Sequence, residues 1–328
     1  MKAKKLVYAL PALILAIIHL VEAQQLPKPA RIGYLEEGSA VGSGDLLEAF
    51  RKRMIQLGWV EGKNLAIEYR YAENKIERLA ELAAELVRLK LDVILVAATS
   101  PALAAKKATT TIPIVVVSAG DPVERGLIKS LAQPGGNITG HAAFAEELAG
   151  KRVEILKETL PKSTRIGVVT GGVGIGGELQ VRTMKQVALA LGLKLEVMGH
   201  ASDPDKLVKA FQTAVRERVN GIITTSGIIN FGQRKSIIVL AANYKLPAIY
   251  GQKEFVEDGG LLSYGVDRRE QYRRAAIYVD KILKGTKPAD MPVEQPTKFE
   301  FFANLNAAKQ IGLTFPPNVL VRADRVIK

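Results

Sequence analysis

Short polar side chains gather where apolar runs end. Thr99-Ser100 follow the run Val93–Ala97, and Ser118 and Asp121 follow Ile114–Val117. Thr170 and Thr225-Ser226 close two more runs in the second half of the chain. Runs that are apolar on both faces read as parallel strands buried between helices. Open α/β sheets bind ligands outside the carboxyl ends of such strands. Hydroxyls there can donate and accept hydrogen bonds, and the Asp121 carboxylate can pair with an amine. The chemistry on offer is reversible recognition of something small. Asp121-Pro122 also reads as a turn and helix cap.

Tyr34, Tyr250 and Tyr264 each end a strand as well. A phenol gives a pocket an apolar wall with a polar tip, and core packing is the alternative reading. His141 follows Thr139-Gly140 at an expected crossing between lobes, where it could touch ligand or act as a base. It has no nucleophile beside it, which is weak ground for catalysis. His200 reads as a surface residue. Gly172-Val173-Gly174-Ile175-Gly176-Gly177 satisfies G-x-G-x-x-G between a strand and a helix. A dinucleotide site needs an acid at the end of the next strand, and here Glu196 lies mid-strand and Gly199-His200 end it. A ligand-facing loop or plain turn chemistry fits better. The chain contains no G-x-S-x-G, H-E-x-x-H or P-loop motif. The expectation is a binding protein, not an enzyme, with no cofactor and no metal.

The elements that must position these residues follow a repeating order. Strands are expected at 31–35, 65–71, 93–97 and 114–117, with helices between them. One helix is expected to start at a cap on Asp45. The pattern recurs from Arg165. Three anchors, Arg31-Ile32-Gly33 with Arg165-Ile166-Gly167, Leu57-Gly58 with Leu191-Gly192, and Ile112-Pro113 with Leu246-Pro247, share one offset of 134 residues. That order is the doubly wound α/β class, in two Rossmann-like lobes. Gln133-Pro134-Gly135-Gly136-Asn137 is where the chain is expected to leave the first lobe. Leftover single elements after residue 252 would complete each lobe, which makes a multi-crossover hinge and a cleft. The expected division is 31–140 plus 252–285 for lobe 1 and 141–251 plus 286–328 for lobe 2.

At 328 residues there is room for two such cores. With 48% hydrophobic and 24% charged residues the chain is globular, not disordered. It has no cysteine, which excludes disulfides, thiolate nucleophiles, Fe–S clusters and a lipid anchor on cysteine. The net charge of +13 raises nucleic-acid binding, but the basic residues are scattered beside acids. A solvated basic surface and no nucleic-acid partner are expected.

Residues 1–23 have a positive start (Lys2, Lys4, Lys5), an apolar stretch Leu6–Val21, and small residues in Val21-Glu22-Ala23. That is the pattern of a secretory signal peptide cleaved after Ala23. Pro11 and His19 interrupt a run already short for a membrane span.

The stretches Leu57-Gly58-Trp59-Val60-Glu61-Gly62-Lys63-Asn64, Gly120-Asp121-Pro122-Val123, Pro134-Gly135-Gly136-Asn137-Ile138-Thr139-Gly140, Gly150-Lys151-Arg152 and Phe255–Gly265 resemble the bacterial ABC transporter substrate-binding proteins. The likeness is to the subgroup that includes tryptophan/tyrosine-type periplasmic binding proteins, and covers the whole mature chain. It implies the type I periplasmic-binding fold with three crossovers, a free periplasmic protein, an ABC permease as partner and a monomeric state. It also implies a small ligand, an amino acid among the candidates, gripped by hinge closure. Tyr34, Thr99, Ser100, Ser118 and Asp121 would then form one wall. Thr170, Thr225, Ser226 and Tyr250 would form the other, with Tyr264 and His141 near the hinge. Rival readings are an exported ligand sensor of the same fold and an exported enzyme. A DNA-binding regulator would need an N-terminal helix-turn-helix where the signal segment stands.

Overall fold

The computed structural model describes residues 28–171, 175–201 and 203–328. The expected signal segment, Gly172-Val173-Gly174 of the glycine-rich loop, and Ser202 lie outside the described residues.

The first sheet is built from β1 (Ala30–Glu36), β2 (Leu65–Tyr71), β3 (Val93–Val96), β4 (Ile114–Gly120) and β5 (Ile138–Ala143), in the order β2-β1-β3-β4-β5. Every pairing in it is parallel. Helices α1 (Ala40–Gln56), α2 (Leu79–Arg88) and α3 (Thr99–Ala108) connect the strands. The second sheet holds β6 (Arg165–Thr170), β7 (Lys194–His200), β8 (Gly221–Thr224), β9 (Ala248–Tyr250), β10 (Leu262–Gly265), β11 (Glu300–Asn304) and β12 (Arg325–Ile327). Its order is β12-β11-β10-β9-β8-β6-β7, parallel except for β10 with β11. Its helices are α4 (Ala145–Thr159), α5 (Ile175–Ala190), α6 (Pro204–Arg216), α7 (Ile228–Gly232), α8 (Arg234–Asn243) and α9 (Glu254–Glu257). The remaining helices are α10 (Arg268–Leu283), α11 (Leu305–Ile311) and α12 (Pro317–Val321). This is the two-lobed, doubly wound α/β architecture the sequence pattern implies.

The apolar runs become central strands because both faces are covered. Val93, Ile94, Leu95 and Val96 are all buried, and alternate side chains enter separate core clusters on the two faces of the sheet. The first helix starts earlier than expected. Ser39 caps it, accepting from the Gly42 amide at 3.4 Å, and Asp45 lies inside it.

The lobe boundaries need correction. The chain does not leave the first lobe at Gly135-Gly136: β5 pairs with β4 and carries residues 138–143, His141 included, into the first sheet. Residues 252–265, expected in lobe 1, belong to the second sheet, because β10 pairs with β9. Only α10 returns to the first lobe, where Tyr272, Ala276 and Val279 join the core of Phe50 and Met54. Residues 286–294, expected in lobe 2, also stay with the first. Thr139 Oγ1 donates to the Met291 carbonyl at 2.8 Å, and the Ala142 amide donates to the Glu294 carbonyl at 2.8 Å. The chain therefore crosses between lobes near residues 144, 266 and 295–299. Opposite the hinge the lobes touch: Arg234 pairs with Asp45 at 3.1 Å, and Gly232 presses on Gly42.

Candidate ligand-binding site

Between the two sheets lies a cavity of about 130 Å³ onto which strand ends from both lobes open. Thr99, Ser100, Ser118, Thr225 and Ser226 line it, as the strand-end rule predicts. They do not all offer free hydroxyls. Thr99 Oγ1 accepts from the Gly120 amide at 3.0 Å, and Thr225 Oγ1 accepts from the Gly171 amide at 3.2 Å. These two shape the loops that form the walls.

The other expected residues are not in this lining. Tyr34 is fully buried one layer behind it; its hydroxyl donates to Glu36 Oε2 at 2.8 Å and so accepts from Tyr272 at 3.0 Å. Tyr250 is core, stacked on Phe255 at 4.4 Å. Tyr264 packs against Phe299 and Phe301. Thr170 is tied to Gly199 and His200. Asp121 is exposed at a φ of 24° and accepts from the Glu124 amide at 3.0 Å, which is the turn-and-cap reading. His141 opens instead on a separate cavity of about 280 Å³ at the hinge, lined also by Glu270 and Arg274. Burial lowers the His141 pKa to about 4, with Glu294 opposing and Arg274 adding to the shift.

Residues that sequence reasoning passed over supply much of the chemistry. Glu36 and Glu37 stand at the end of β1, two and three residues past Tyr34, and both line the cavity. Burial raises the Glu36 pKa, while the Tyr34 hydroxyl and the Gly38 and Glu37 amides hold part of the charge in place. Burial, then the neighbouring Glu36, pushes Glu37 up to about 7, with Ser100 and Arg268 opposing. Arg268 and Gln271 come from the first turn of α10. Gln252 follows β9, is 1% exposed, and has no hydrogen-bond partner for either amide atom. Gln271 Oε1 and Arg268 Nε are likewise buried without partners. Buried polar atoms without partners are costly, so these three are the groups best placed to bond a ligand. Gln180 on α5 bridges the second wall, with Oε1 accepting from the Ser226 amide at 2.7 Å and Nε2 donating to the Ser226 carbonyl at 3.0 Å. Phe144, Leu148, Ile228, Ile229 and Val266 complete the lining with apolar surface. Small-molecule sites have this make-up, an apolar box with a few directed polar groups.

No group of three or more potential metal ligands occurs among the described residues, and no described helix is long and apolar enough to cross a membrane.

The model of the family described as ABC transporter substrate binding protein matches residues 45–327. A tyrosine-binding protein of Clostridioides difficile is 27% identical over 266 residues, 81% of this chain and 76% of that protein. A crystal structure of a conserved domain protein from Vibrio cholerae has a TM-score of 0.79 at 29% identity, covering 91% of this chain and 100% of that one. The structure of an ABC domain in complex with L-Trp from Streptococcus pneumonia has a TM-score of 0.76 at 24% identity, covering 90% and 100% of the two chains.

Proposed function

The chain belongs to the ABC transporter substrate-binding proteins, and from that premise we propose that it captures a small zwitterionic amino acid with an apolar, aromatic side chain and delivers it to an importing permease. Family and fold both mark it as a binding protein of the type I periplasmic class. One observation carries the ligand reading. The interlobe cavity sets three carboxyl groups, Glu36, Glu37 and Glu146, against a single guanidinium, Arg268, and so keeps carboxyl groups without a cation partner that an ammonium group can supply. The apolar remainder, with Phe144 and the paired Ile228-Ile229, suits an uncharged side chain. The tyrosine-binding relative supports the same chemistry.

Ligand joins the lobes through groups from each, so binding favours the closed form over the open one. The segment of residues 1–23 supports export and release of a mature chain from Gln24 into the periplasm, working as a monomer. The test is thermal unfolding of residues 24–328 against amino acids, small peptides, purines and carboxylates. A ligand at a hundred times its Kd adds roughly 2.7 kcal/mol, read as a rise of a few degrees in Tm. A rise with tyrosine, tryptophan or phenylalanine supports the proposal. A rise with purines or carboxylates alone refutes the ligand class, and turnover of the bound molecule refutes the binding role.

A further inference from the structure

Arg152 sits on α4 and is fully buried, among the largest side chains in the protein with no solvent exposure. Its Nη1 donates to the Tyr264 carbonyl at 3.2 Å and its Nη2 to Gln180 Oε1 at 3.2 Å. Its Nε has no partner. Among the described residues no carboxylate lies within ion-pair distance of it, and burial alone pushes its pKa down to about 9. Burying an unpaired cation is expensive.

Its position relative to the cavity is what gives this charge a use. Gln180, Ser226 and Gly251 line the second wall, and Arg152 lies directly behind them. A Cβ placed on Gly251 would be 3.3 Å from Nη1 and would collide with Ser226. The two walls differ in charge. Of the charged lining residues, Glu36, Glu37 and Arg268 come from the first lobe and hinge, and Glu146 comes from the start of α4, with its carboxylate against Gly120 at the end of β4; the Gln180–Ser226–Gly251 wall itself carries no charged residue. The first turn of α5, at Gly176 and Gly177, faces the cavity from the same side, and the leading amides of a helix have no partners within it.

We propose that Arg152 is a positioning residue that fixes the carboxylate of the ligand against the second lobe, acting through the Gln180–Ser226–Gly251 wall. A ligand would then lie across the cleft, ammonium on Glu36 and Glu37 and carboxylate on the second wall. Selection would be for zwitterions over plain amines. This rests on the amino-acid reading above.

The test is calorimetric titration of residues 24–328 with L-tyrosine and with tyramine, which keeps the amine and phenol but lacks the carboxylate. Wild-type protein is expected to prefer tyrosine by roughly tenfold or more, the size of a charge-assisted contact. Arg152→Gln is expected to lose that preference with tyramine affinity unchanged, and Arg152→Lys, which keeps the charge, to retain part of it. A purely structural role would lower both affinities together and leave their ratio intact, and that result overturns the inference. Wild-type protein that binds both ligands equally overturns it too, even where Arg152→Gln does not fold. Wild-type protein that binds neither refutes the aromatic amino-acid reading and takes this inference with it.

Discussion

Glu37 makes the cavity responsive to pH. Its carboxyl titrates near 7, because burial and Glu36 disfavour its charge. An ammonium ligand binds the carboxylate, so affinity is present above pH 7 and is lost as pH falls through it. Titration calorimetry with the amino-acid ligand is expected to give a Kd several-fold weaker at pH 6 than at pH 8. Glu37→Gln should be weaker throughout and flatten that dependence. Gln252→Leu removes a buried amide with free bonding capacity and should cost about 1–3 kcal/mol of binding, with Tm of the free protein held or raised; an unchanged Kd would take Gln252 out of the site. The hydroxyls of Thr99, Ser100, Ser118, Thr225 and Ser226 were legible in the sequence because buried parallel strands announce their own ends. Glu36 and Glu37 obey the same rule, but β1 runs past Tyr34 to Glu36, where the apolar pattern has already faded. Gln252, Arg268 and Gln271 carry no local signal at all. They reach the cavity through tertiary placement, just after β9 and in the first turn of a helix that crosses between lobes.

At the scale of elements, β10 and α10 are neighbours in sequence and belong to different lobes. Composition does not mark the crossing, since Val266-Asp267 resembles any strand-to-helix turn. The Pro134-Gly135-Gly136 stretch resembles a linker and is a turn feeding one more strand of the same sheet. Gly140 explains part of the need for that sequence. It has a φ of 130° where β5 meets the bulge in β4, and an added Cβ would sit 2.1 Å from the Val116 carbonyl oxygen. Gly140→Ala is expected to cost about 1–3 kcal/mol or more, read as a lower urea midpoint. One residue on, His141 is 4% exposed and held neutral, with Glu294 at 3.9 Å and with Arg274 and Glu270 nearby. Its folded pKa of about 4 lies below the ordinary value of about 6.5. The unfolded chain therefore binds more protons between those values, and stability falls as pH drops through that window. The urea midpoint of His141→Phe should fall less between pH 7 and pH 5 than that of the wild type.

At the scale of the whole molecule, Gly42 meets Gly232 and Arg234 pairs with Asp45 across the two lobes. Gly232→Val places a branched side chain where backbone meets backbone. It is expected to hold the lobes apart, weaken ligand binding by tenfold or more, and enlarge the radius of gyration of the ligand-mixed protein in small-angle scattering. A wild-type radius with wild-type affinity would show that this contact does not gate closure. The two-lobed plan was legible because each lobe repeats the same order of elements; the partition of the tail was not, because only pairing partners decide it. The first lobe is sealed by α10, residues 268–283, which arrives after nearly all of the second lobe has been made. A nascent chain emerging from the ribosome thus has an incomplete first core for most of its synthesis. A chain cut short before Arg268 is therefore expected to leave the Phe50 and Met54 face of the first lobe without its covering helix.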